Sequence, residues 1–127
     1  MVAYEATTAS VRVTVSPVPL DHQSDPLAAK FVFAYFIRIE NDGLDEIQLL
    51  RRHWTIRDAR GHVEEVDGEG VVGRQPVIAP GEEYAYNSFC VLATFEGTME
   101  GTYLMQRPSG ERLRVVIPRF HLAAMAN

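Results

Sequence analysis

The run from Phe31 to Asn41 constrains this chain more than any other segment. Phe31, Phe33, Tyr35, Ile37 and Ile39 take alternate positions, with Arg38 and Glu40 on the opposite parity near its end. Successive side chains of an extended strand point to opposite faces, so this period of two predicts a strand with one buried face. Those five residues are expected in a core. Val11, Val13 and Val15 alternate in the same way with Arg12, Thr14 and Ser16, and Pro17 and Pro19 end that strand or mark it as an edge. No segment shows a helical period.

Turn chemistry divides the remainder. Leu20 to Lys30 reads as a loop, and Asn41-Asp42-Gly43 as a turn in which Gly43 is free to take a positive φ. In the strand from Ile47 to Asp58 the alternation slips before Trp54, which predicts a bulge near Arg51 and Arg52. One of these consecutive arginines is expected to face the core, held by a carboxylate or by carbonyls, unless the bulge intervenes. Asp58 to His62 has the form of a three-residue hairpin loop closed by Gly61, with His62 to Val66 returning. Ala79-Pro80-Gly81-Glu82 has the form of a type II turn. Tyr84 to Phe89 is a further strand, and Thr98–Gln106 and Arg112–Ile117 form a last hairpin. Phe120 and Leu122 in the tail, and Trp54, are expected in the core.

Seven to eight short strands with regular turns and no helix between them predict an all-β fold, an antiparallel β-sandwich, in one domain over residues 1–127. A net charge of −5 removes the electrostatic basis for binding nucleic acid. The single cysteine, Cys90, excludes an intramolecular disulfide and a cysteine-based zinc cluster and points to a reducing compartment. Residues 1–10 lack the basic and apolar regions of a leader, and no apolar run is long enough for a bilayer, so the expected location is cytoplasmic with no membrane partner.

Gly68, Gly70 and Gly73 spell G-x-G-x-x-G, the pattern that cradles a pyrophosphate where a strand opens into a helix. Pro76 and Pro80 bar such a helix, and Asp67 and Glu69 set carboxylates where the anion would sit. The glycines therefore read as bends or bulges at a sheet edge. The ligand candidates that remain are Gly68, Gly70, Gly73 and Arg74 for a small anion in a nest of N–H groups. For a divalent cation they are His53, Asp67 and Glu69, beside an acidic run that more simply guards an edge. Counting back from the hairpin sets His53 opposite Asp67, a pairing that makes a hydrogen bond more often than a metal site. Cys90 has no activating base nearby in sequence, and Ser88 lies in no G-x-S-x-G elbow, so no catalytic residue and no cofactor is assigned.

Several motifs occur in a recognisable order: Leu49-Leu-Arg-Arg-His-Trp54, Val72-Gly-Arg-Gln-Pro76, Pro80-Gly-Glu82, Gly97-Thr-Met-Glu-Gly101 with Tyr103, and Ile117-Pro-Arg-Phe120. Together they resemble the bacterial ApaG family, also named CorD, over nearly the whole chain. The resemblance implies a fibronectin type III or immunoglobulin-like β-sandwich, a cytoplasmic protein without established enzyme activity, and a link to cobalt and magnesium resistance. It also implies a role in protein contacts, since the same domain is attached to some F-box proteins. The expected function is a non-enzymatic interaction domain with an unknown protein partner, as a monomer or a weak homodimer. The alternative is a regulator that binds a divalent cation or a pyrophosphate-like anion near the glycine stretch.

Overall fold

Among the described residues, 2–124, the alternating segments form nine strands in the computed structural model. One antiparallel sheet contains β1 (Tyr4–Thr8), β2 (Val11–Pro19), β3 (Phe31–Asn41) and β7 (Glu83–Leu92), in that order. The second contains β5 (Val63–Glu69), β4 (Ile47–Asp58), β8 (Glu96–Gln106) and β9 (Arg112–Ala123), in that order, and the short β6 (Val77–Ile78) pairs with the start of β4. The two sheets pack as an antiparallel β-sandwich of the fibronectin type III or immunoglobulin-like kind. Two of the nine strands, β1 and β6, are not among the expected segments. β1 escapes notice because its hairpin turn is Ala9-Ser10, both at positive φ (47° and 68°), where glycine or asparagine is the usual signal. β6 is only two residues long.

The core lies between the facing parities. Phe33, Tyr35, Ile37 and Ile39 are buried as the period required, while Phe31 is partly buried at the margin, with its ring 6.1 Å from Phe95. Trp54 meets Tyr35 and Phe120 edge-on, with ring centroids 5.4 and 5.9 Å apart. Pro17 does not end β2, which runs to Pro19; the two prolines pair with Tyr35 and Phe33 and mark an edge, as the alternative expectation had it. The Leu20 N–H donates to the Val32 carbonyl, so the even positions of β2 address β3 and the prolines turn their missing N–H outward, beyond the end of β1. Nor is the segment after Ile117 a tail. β9 runs on to Ala123, with a register shift at Pro118-Arg119 opposite Glu100, and Phe120 and Leu122 are buried.

Gly43 does not use a positive φ. The turn is instead held by Asn41, 2% exposed, whose Nδ2 donates to the carbonyls of Asp45 (2.8 Å) and Ile78 (2.9 Å) while its Oδ1 accepts from the Gly43 N–H (3.0 Å). This one side chain clasps the end of β3 to β6 in the opposite sheet. The hairpin at Asp58–His62 and the type II turn at Ala79–Glu82 have the expected form, with Gly61 at φ 84° and Gly81 at φ 80°.

Candidate functional site

The expected bulge lies in β4 at Leu50: Leu49 pairs with Met105 and Arg51 with Leu104, leaving one residue over. Its effect is to exchange the two faces of the strand. Leu49 points into the core; beyond the bulge Arg52 and Trp54 point inward, and Arg51 and His53 point out. The glycine stretch secures this arrangement. The Gly70 N–H and the Gln75 side chain both donate to the bulged Leu50 carbonyl, at 2.8 and 2.9 Å. Arg52 donates to the carbonyls of Glu69 and Gly70, so the inward arginine has the carbonyl partners that burial demands. Gly68 leaves room for that guanidinium, since a Cβ there would lie 2.9 Å from it.

The excursion turns at Val72-Gly73, both at positive φ (48° and 77°), between the paired Val71 and Arg74. It thus returns to the same strand of the same sheet through β6, and the crossing to the other sheet is made afterwards, at Pro80-Gly81. A β-branched residue in the left-handed region is strained by about 1–2 kcal/mol. Val72→Asn restores the preferred turn dipeptide and is expected to raise stability by about 1 kcal/mol, read as a higher denaturant midpoint with an unchanged slope.

Two concavities meet at the bulge, and Arg52 borders both. Between the sheets, Tyr35, Tyr86, Ser88, Val71 and Val72 line a cleft of about 180 Å³. Behind it the Tyr86 and Tyr103 hydroxyls are hydrogen-bonded to each other. Burial raises the ionisation of Tyr103 well above the usual tyrosine range and raises that of Tyr86 likewise, against the lowering effect of their shared hydrogen bond at Tyr86. Both stay neutral donors and acceptors. On the outer face of the five-stranded sheet, Arg51, His53, Asp67, Thr102, Leu104 and Arg114 line a basin of about 300 Å³.

The sequence candidates divide between these places. His53 stands opposite Asp67 in the ladder, as counted, but its ring approaches Glu65 at 3.4 Å, while Asp67 approaches Arg51 at 3.8 Å. Glu69 lies opposite Arg51. No group of three His, Cys, Asp or Glu side chains converges among the described residues. Gly68, Gly70, Gly73 and Arg74 belong to the excursion, where each glycine has a structural need; a Cβ at Gly70 would lie 2.1 Å from the Arg74 carbonyl. Thr102 and Arg114 had no sequence signal, because their partners come from distant strands. Cys90 is buried, and burial, with the Glu64 charge adding to it, pushes its thiol up to about 12, so it carries no reactive thiolate. No histidine hydrogen-bonds a serine or cysteine side chain among the described residues.

Sheet order, register and a clasped two-layer core define a fibronectin type III or immunoglobulin-like β-sandwich module. The sequence matches the family described as the ApaG domain over residues 21–107, and the chain belongs to that family. It is 51% identical to protein ApaG of Rhodospirillum centenum and 48% identical to protein ApaG of Methylobacterium sp. (strain 4-46). Each match spans 119 residues, 94% of this chain and 92% of the relative. A crystal structure described as an ApaA protein from Bordetella pertussis superposes with a TM-score of 0.87 at 46% identity, covering 90% of this chain and 93% of that one.

Proposed function

We propose that this chain is a non-catalytic interaction domain that receives an extended strand of a partner protein along β7. The observation that carries this is the undefended edge of that strand. Backbone groups of odd-numbered β3 residues address β7, and the even-numbered β7 residues answer them. Glu83, Ala85, Asn87, Phe89 and Val91 therefore direct their N–H and C=O groups at the open edge. Ten residues without proline, lysine or a bulge form the type of edge that proteins ordinarily block, whereas β5 is guarded by Glu64, Glu65, Asp67 and Glu69. Beside the edge, Phe36, Phe89 and Val91 are exposed on one face, which favours a strand with apolar residues on the matching parity.

No helix among the described residues is long and apolar enough to cross a membrane. The unreactive Cys90 thiol and the absence of a histidine-nucleophile pair among the described residues support the non-catalytic reading, and one buried cysteine supports a cytoplasmic setting. A partner in cobalt or magnesium homeostasis is supported by the family resemblance alone. The test uses Asn87→Pro and Phe89→Lys in affinity capture from the source cell. Asn87 turns its N–H away from β3, so proline blocks the edge and spares the ladder. A specific protein captured by the native chain is expected to be lost with both variants, each of which keeps a cooperative unfolding transition. Capture that survives both variants, or turnover of phosphate esters abolished by a single substitution, would refute the reading; self-association along β7 would identify a second copy as the strand.

A further inference from the structure

We infer that the basin on the outer face of the five-stranded sheet binds a small phosphoryl anion, gripped between Arg51 and Arg114. The two arginines share one cross-strand row, Arg51–Leu104–Arg114. Two ladder spacings separate their backbones, on the order of 10 Å, a gap that two guanidinium arms close on one tetrahedral anion from opposite sides. The next row supplies the His53 imidazole and the Thr102 hydroxyl along one flank, and Leu104 forms an apolar floor.

Charge favours the same occupant. Arg51 and Arg114 face the basin with one carboxylate, Asp67, among its lining residues, in a chain whose net charge is −5, while the Arg52 guanidinium is turned inward to the Glu69 and Gly70 carbonyls. Arg114 makes no ion pair among the described residues, and the pair between Arg51 and Asp67 is long, at 3.8 Å, with both side chains exposed. Exposed pairs of this kind contribute little, so Arg51 is available to a stronger anion. The bulge points the same way. In an unbroken ladder Arg51 would face the core; the extra residue at Leu50 turns Arg51 and His53 outward, and two hydrogen bonds from the glycine excursion hold that carbonyl in place. The glycine motif thus aims Arg51 and His53 without touching the anion itself. Glu65, Asp67 and Glu69 along β5 rim one side, which excludes a long polyanion and limits the site to a small one.

The experiment is an NMR titration of the isotopically labelled protein with inorganic phosphate and, separately, with pyrophosphate and a phosphate monoester, at constant ionic strength. Saturable shifts are expected at the amides of Thr102, Leu104 and Arg114 and at the Arg51 side chain, and the ranking of the three probes identifies the phosphoryl form that fits. Arg114→Gln, at an exposed position, is expected to weaken binding roughly tenfold or more with the fold intact. Arg60→Gln in the distant hairpin and Asn87→Pro on the other sheet are expected to leave it unchanged. The inference is overturned if no probe produces saturable shifts at tens of millimolar, if the shifts centre on Gly68 to Arg74, or if Arg114→Gln binds like the native chain.

Discussion

Gly101→Ala is expected to destabilise the sandwich by about 3 kcal/mol or more, the range in which forced overpacking of a rigid site falls. A Cβ at this position would lie 2.0 Å from the His53 carbonyl oxygen and 3.2 Å from the Trp54 Cα. Both atoms are backbone, so no rotamer change relieves the contact. β4 and β8 are interior strands of the five-stranded sheet, and moving them apart would break their hydrogen bonds and open the seat of Trp54. Gly61 offers the control, because a Cβ there meets nothing within 4 Å and its only demand is a φ of 84°. Gly61→Ala should therefore cost about 1 kcal/mol. Denaturant midpoints measured side by side separate the two; equal losses would show that the ladder yields at Gly101.

Asn41→Asp is the second large effect, expected at about 3 kcal/mol near neutral pH, since a buried charge is left facing acceptors. The amide donates to two carbonyls, and a carboxylate turns both hydrogen bonds into repulsions across the junction of the two sheets. Asn41→Ala removes the donors without adding charge and should cost less, about 2 kcal/mol. The pH dependence distinguishes them. A carboxyl held among carbonyls has a folded-state pKa above its unfolded value, so the Asn41→Asp variant binds its proton more tightly when folded. Its stability relative to the native chain should fall as pH rises past the ordinary aspartate range and be regained on acidification. A pH-independent difference between the aspartate variant and the native chain would contradict the clasp.

Much of the architecture was legible because it depends on local rules. The period of two in β3, the Asp58–His62 loop with its left-handed glycine, the Pro80-Gly81 turn and the slip in β4 each follow from a few neighbouring residues, and each is present. The failures are equally specific. Ala9-Ser10 makes a turn without turn residues, and Gly43 lies in a turn organised by a buried asparagine rather than by its own φ. The segment after Ile117 hid a strand continuation because Pro118 is absorbed in a register shift. At the site, Arg51, Arg52 and His53 were conspicuous in sequence, but Arg114 and Thr102 were not. Their relevance depends on pairing across β8 and β9.

The sequence by itself determined the layers: which residues are apolar at alternate positions, where the chain must turn, and that an inward-facing Arg51 or Arg52 would need a carboxylate or carbonyls. Those properties are carried by single strands and single turns. Tertiary structure alone decided what the turns are for. It set the glycine excursion against the Leu50 carbonyl, drew Arg51 and Arg114 into one row, and left β7 without a second neighbour. The physical reason is that pairing register and edge exposure belong to strands distant in sequence, and no local pattern records which strand will lie beside which.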